Sequence, residues 1–278
     1  MIGLPSAAER PASSGGSPVR ENAVVAAIDH GLSWGSYEGF EDPEPTLRTV
    51  LEAGADGVLA GVPFLRRYED LLDSYPNVDR IATLDQLHDS TLPGKSEEAE
   101  IHHQLFSAAE ATAVGADAAK VALVYGREDP DVLGENLQFT ASMATECRTV
   151  GIPLVVEPAL WGQRSDDEFD GEMLEDAARV AFETGADIIK SPYPGRADFE
   201  PIVDNSPQPV YIAGGPTAET DREVLEMVAG ATEAGARGVM FGRNIWQRDD
   251  PAAVVSALQR IVHDGTSVDD TMAALEER

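Results

Sequence analysis

The chain has 278 residues and a formal charge of -30, from 50 acidic and 20 basic side chains distributed along its whole length. That balance argues against nucleic-acid binding, which needs a basic stripe, and no apolar run approaches the length that spans a bilayer. Spread acidity repels itself at low salt and is relieved by screening, so it reads as adaptation to a salt-rich interior rather than as a binding block for basic partners.

Residues 1–22 are rich in Ser, Gly, Pro and Ala without a signal-peptide core, and are expected to form a flexible N-terminal arm before a single domain over 23–278. From there short apolar runs alternate with helical patterns. The runs are Val24–Asp29, Gly57–Gly61, Arg80–Asp85, Ala118–Val124, Pro153–Glu157, Asp187–Pro192, Val210–Gly214 and Gly238–Gly242. Each is continuously apolar, as expected of strands covered on both faces. Between them lie helical patterns at Glu44–Ala53, Glu97–Val114, Glu172–Thr184 and Asp221–Ala234, and another over Leu137–Val150. The phrases Ala53-Gly54-Ala55-Asp56, Val114-Gly115-Ala116-Asp117, Thr184-Gly185-Ala186-Asp187 and Ala234-Gly235-Ala236-Arg237 place a glycine just past a helix, the position of a left-handed C-cap. Eight such units predict an α/β fold closed as a (β/α)8 TIM barrel; an open doubly wound sheet is the alternative, weakened because no Gly-x-Gly-x-x-Gly turn follows the first strand.

A barrel carries its chemistry at the carboxyl ends of its strands. Those ends hold Asp29-His30-Gly31, Asp85-Gln86, Lys120, Glu157, Lys190, Gly214-Gly215 and Gly242-Arg243. The lysines are informative because the chain has three of them against seventeen arginines. Arginine replaces lysine as a surface charge but not as an amine nucleophile. Lys95 lies in a polar loop and reads as a surface residue, whereas Lys120 and Lys190 each follow a Gly-Ala-Asp phrase into an apolar run. Lys190 is the candidate for a Schiff base with a ketone. Lys120 would supply a second charge that eases loss of the Lys190 proton, or hold a phosphate. Glu157 needs a cationic partner among these lysines and would serve as general acid/base. Asp29 is a second candidate for proton transfer or hydroxyl contact, His30 an orienting hydrogen-bonding residue, and Asp85 a residue that could cap the following helix.

Gly214-Gly215 and Gly242-Arg243 after the last two strands suggest a phosphate cradle, with Arg243 adding a two-pronged contact. No metal and no cofactor are called for: His102 and His103 are adjacent and diverge on a helix, and His88 and His263 lack partners at ligand spacing. Cys147, the sole cysteine, excludes an intramolecular disulfide and reads as a packed thiol in a reducing, cytoplasmic setting.

Asp29-His30-Gly31, Gly185-Ala186-Asp187-Ile188-Ile189-Lys190, Ala213-Gly214-Gly215-Pro216 and Gly242-Arg243-Asn244-Ile245-Trp246-Gln247 resemble the archaeal-type class I aldolases of the deoxyribose-phosphate aldolase and fructose-bisphosphate aldolase superfamily. The resemblance covers most of residues 22–265. It implies a Schiff base at Lys190, a substrate-contacting acid at Asp29, a phosphate site at Gly214, Gly215, Gly242 and Arg243, and a homo-oligomer such as a pentamer or decamer. The chain departs from that pattern after the fifth strand. Relatives usually carry a catalytic tyrosine in Tyr-Pro-Arg-Gly, and here the segment is Glu157-Pro158-Ala159-Leu160-Trp161-Gly162. Glu-Pro there, with Lys120 in the fourth strand, resembles instead tagatose-bisphosphate and sulfofructose-phosphate aldolases, in which glutamate is the acid/base.

The expected activity is metal-independent cleavage of a phosphorylated ketose, fructose 1,6-bisphosphate first, to dihydroxyacetone phosphate and an aldehyde. A transaldol-type synthase, a thiolase-like acyl transfer on a phosphorylated diketone and a silent sugar-phosphate sensor are the alternatives. Sugar stereochemistry would be set by the loops around positions 30–42, 86–96 and 159–172.

Overall fold

The computed structural model describes residues 22–36, 40–86, 103–160 and 167–276. Eight parallel strands close into a barrel: β1 (Ala23–Ala27), β2 (Gly57–Gly61), β3 (Asp79–Thr83), β4 (Ala118–Tyr125), β5 (Leu154–Leu160), β6 (Ile188–Ser191), β7 (Val210–Ala213) and β8 (Gly238–Phe241). Each strand pairs with its sequence neighbours, and β8 closes the ring on β1 through Ala23↔Gly238 to Ala26↔Phe241. The main helices that follow these strands in turn are α1 (Pro43–Glu52), α2 (Val62–Arg67), α3 (Ala108–Ala113), α4 (Pro130–Val150), α5 (Gly171–Glu183), α6 (Arg196–Asp204), α7 (Asp221–Glu233) and α8 (Pro251–Val262); α9 (Val268–Glu276) packs on α7 and α8. The expected (β/α)8 barrel is the observed one.

The strands are apolar throughout because both faces are covered. Val24, Ala26, Val58, Ala60, Val156, Ile189, Ile212 and Val239 face outward into the core shared with the helices. The alternate residues Val25, Leu59, Ile81, Ala118, Val155, Ile188, Tyr211 and Met240 point inward and plug the barrel.

The Gly-Ala-Asp phrase does two jobs at the amino-terminal face. Gly54, Gly115, Gly185 and Gly235 take φ of 92°, 73°, 108° and 100°, the left-handed conformation that ends a helix. The aspartate then accepts the first ladder N–H of a neighbouring strand: Asp56 from Val24 at 2.8 Å, Asp117 from Arg80 at 2.9 Å and Asp187 from Leu154 at 2.9 Å. In the fourth copy Arg237 replaces the aspartate and makes no such contact through a carboxylate.

One expected helix is much shorter. Among its described residues, 103–114, the pattern over Glu97–Val114 is helical only from Ala108, begun by a capping box in which Ser107 accepts from the Glu110 N–H and Glu110 accepts from the Ser107 N–H. His103–Gln104 instead pair antiparallel with Asp85–Gln86. The expected arm (1–22, save Asn22), Lys95, His88, His102 and Trp161 lie outside the described residues. Cys147 is buried on α4, where burial, with Asp187 and Glu146 nearby, pushes its thiol up to about 12, consistent with a packed thiol.

Candidate active site

Above the barrel plug the inward reading frame continues, and the residue types change. Two positions beyond Ile81 is Thr83; beyond Ala118, Lys120; beyond Val155, Glu157; beyond Ile188, Lys190; beyond Ala27, Asp29; and beyond Met240, Gly242. Period two therefore puts all of them on one layer, and they line a cavity of about 400 Å³, a size that suits a small organic substrate.

Two placements correct the sequence-based expectation. Lys120 was expected at the carboxyl end of its strand but is the third of eight residues in β4. The shear of the barrel brings it level with Thr83, the last residue of β3, so it still reaches the cavity. Glu157 was expected to end the fifth strand, which runs on to Leu160.

Glu157 is the centre of the polar layer. Its two carboxylate oxygens are gripped by different ammonium groups, Oε2 by Lys120 Nζ at 2.7 Å and Oε1 by Lys190 Nζ at 2.8 Å. Burial alone would raise its carboxyl, but the two lysines and their hydrogen bonds outweigh it and pull it down to about 2. Burial likewise disfavours charge on Lys120, whose side chain is 3% exposed. Glu157, Asp85 and Asp29 more than offset that and hold Lys120 above the ordinary lysine range. The deeper lysine is thus held as a cation.

Asp29 lies two residues past β1 and accepts from Thr83 Oγ1 at 2.7 Å. Asp85 Oδ2 accepts the Ala122 N–H of β4 at 2.8 Å, and Asp85 lines the cavity; the segment directly after Gln86, where a capped helix would start, lies outside the described residues. Burial raises its carboxyl to about 6, only partly opposed by Lys120 and the Ala122 N–H. His30 sits between Asp29, whose Oδ1 is 3.6 Å from Nδ1, and Trp246, whose ring meets it edge-on at 5.5 Å between centroids. Burial lowers His30 to about 4 despite Asp29, so the ring is neutral at neutral pH.

Gly31 does not line the cavity: it is exposed, in the single helical turn Gly31–Trp34, and a Cβ there would meet nothing within 4 Å. Gly242 does, and needs its lack of a side chain, since a Cβ would fall 2.2 Å from His30 Cε1 and 3.0 Å from the Ala27 carbonyl. Gly214, Gly215 and Arg243 line the same wall, and Arg243 Nη2 donates to the Gly215 carbonyl at 2.9 Å. Sequence reasoning missed Thr83, and it missed Phe169 beside Gly215; Thr83 was findable by stepping two residues back from Asp85 in the inward frame.

Residues 23–248 match the family model described as DeoC/LacD family aldolase. A 2-amino-3,7-dideoxy-D-threo-hept-6-ulosonate synthase of Halobacterium salinarum is 32% identical over 255 residues, 91% of each chain. A class 1 fructose-bisphosphate aldolase of Halobacterium salinarum is 30% identical over 270 residues, 93% of this chain and 98% of its own. Among solved structures, an archaeal fructose-1,6-bisphosphate aldolase with its catalytic lysine covalently bound to the carbinolamine intermediate superposes with a TM-score of 0.77 at 29% identity, covering 87% of this chain and 94% of that one.

Proposed function

Because the chain belongs to the DeoC/LacD family of Schiff-base aldolases, we propose that it cleaves a phosphorylated ketose, fructose 1,6-bisphosphate first among them, to dihydroxyacetone phosphate and an aldehyde, with Lys190 as the nucleophile. The observation that carries this reading is Glu157 held at 2.7 and 2.8 Å by two lysines inside a cavity whose far wall is Gly214, Gly215, Gly242 and Arg243.

The Lys190 amine adds to the ketone carbon, and loss of water from the carbinolamine leaves an iminium. The bond between the third and fourth carbons breaks, its electron pair neutralising the iminium as an enamine, while the proton of the fourth-carbon hydroxyl passes to Glu157. This transfer is self-timed. In the resting site two cations make Glu157 a weak base. As the iminium charge disappears one of them is gone, and the carboxylate takes up the proton as the carbon–carbon bond opens. Glu157 then returns the proton to the enamine carbon, and water releases the ketose fragment and regenerates Lys190. Here the glutamate takes the part that a tyrosine plays in the tyrosine-bearing relatives. Lys120 stays charged and fixes Glu157, Asp29 and neutral His30 contact hydroxyls, and Gly214, Gly215, Gly242 and Arg243 hold the phosphate.

A second reading, favoured by the likeness to the Halobacterium salinarum synthase, hands the same enamine to a second carbonyl compound instead of a proton. Release of dihydroxyacetone phosphate from fructose 1,6-bisphosphate in the presence of a chelator tests the primary reading. It is expected in the wild type and absent in Lys190→Met; unchanged turnover in that variant would remove Lys190 from the chemistry.

A further inference from the structure

Asn244 touches neither the cavity nor any other residue assigned to the reaction by charge, yet it is 1% exposed and spends its whole amide on one loop. Its Nδ2 donates to the Gly214 carbonyl at 2.7 Å and to the Pro216 carbonyl at 3.0 Å, and its Oδ1 accepts the Ala218 N–H at 2.9 Å. The loop so held, Gly214–Ala218, follows β7, and its first three residues line the cavity.

A trans peptide carries its C=O and N–H on opposite sides of one plane. With the Gly214 carbonyl turned to Asn244, which does not line the cavity, the N–H of Gly215 in that peptide must point the other way, and Gly215 itself lines the cavity. Among the described residues this N–H has no hydrogen-bond acceptor. The next peptide offers no donor because residue 216 is proline, and its carbonyl, that of Gly215, is taken by Arg243 Nη2 at 2.9 Å. At Gly215 φ is +59°, so the loop turns here through a conformation open to glycine. Thr217 Oγ1 and Gln247 Oε1, 3.2 Å apart, tie the same two segments once more.

We propose that Asn244 is a positioning residue that sets the Gly215 N–H as a pre-aimed donor for the phosphate of the substrate, acting through the loop and not through contact with ligand. This rests on the aldolase reading for the identity of the ligand, but the donor it describes is an anion site in its own right. Two probes separate the claims. Inorganic phosphate, titrated calorimetrically at fixed salt, reads the cradle alone. Borohydride trapping of dihydroxyacetone, which has no phosphate, reads Lys190 alone.

Asn244→Ala is expected to weaken phosphate binding roughly ten- to hundredfold while dihydroxyacetone is trapped at the wild-type rate. Kinetically, KM for the phosphorylated ketose rises more than kcat falls. Phosphate binding unchanged in the variant overturns the proposal, as does an equal loss with both probes, which marks a structural role. If the alanine variant does not fold, Asn244→Leu fills the space without the amide and is read the same way; failure of both to fold assigns Asn244 to folding and also overturns it. A wild type that binds phosphate but traps no dihydroxyacetone contradicts the Schiff-base reading while leaving the Asn244 result legible.

Discussion

At the scale of single residues, the site is governed by how three carboxylates and two ammonium groups share a buried layer. Glu157→Gln separates catalysis from scaffolding. It removes the proton-accepting carboxylate while leaving both buried lysines and the shape of the side chain in place. Adduct formation with a ketose phosphate is therefore expected to persist while turnover falls by about 10²–10⁴, seen by comparing single-turnover trapping with steady-state rates; loss of both together would make Glu157 purely structural. Asp85 is predicted to carry a pH signature. Its folded-state value of about 6 lies above that of an unfolded aspartate, so its contribution to stability is complete below the unfolded value of about 4 and is lost as pH rises through about 6. Asp85→Asn stays neutral and can still accept the Ala122 N–H. Its unfolding free energy in denaturant titrations is expected to exceed that of the wild type at about pH 8 by up to about 3 kcal/mol and to converge with it near pH 4; a gap that does not change with pH contradicts the assignment.

At the scale of elements, strand period two does most of the placing. Lys120, Glu157 and Lys190 were legible as mutual partners because an ionisable group in a continuously apolar run demands one, and Glu157 pairs with both lysines. Their common layer was not legible from strand ends, since β4 and β5 run past the site and barrel shear, a property of the closed sheet, decides which residues are level. Within Glu97–Val114 the described residues depart from one continuous helix for a local reason: the Ser107–Glu110 capping box starts the helix at Ala108 and outweighs a weak apolar period. The Gly-Ala-Asp phrase was read through its glycine, whereas its aspartate binds strands that are distant in sequence and needed the sheet order to be understood. Contacts at the amino-terminal face should matter for stability and not for chemistry. Asp56 accepts from Val24 N, Gln259 Nε2 at 3.0 Å and, at 2.8 Å, faces His263 Nε2. Asp56→Ala is expected to cost about 1–3 kcal/mol in a denaturant titration with Lys190 trapping unaffected. At the opposite face Gly242→Ala should do the reverse of sparing the site, because its Cβ would displace His30.

At the scale of the whole molecule, the three carboxylates and two ammonium groups of the polar layer leave at most one negative charge, so nearly all of the -30 lies outside that layer. Self-repulsion of that charge is screened within a Debye length of about 10 Å at 0.1 M salt and less above it. The melting temperature is expected to rise steeply with sodium chloride, and full stability at low ionic strength would contradict adaptation to salt. The proposed reaction stands on one covalent bond. The most direct test is intact-mass spectrometry with peptide mapping after borohydride reduction in the presence of dihydroxyacetone phosphate, in concentrated salt. One adduct confined to the peptide carrying Lys190 is the predicted result; label on Lys120 alone would reverse the roles of the two lysines, and no label on either would contradict Schiff-base catalysis by this chain.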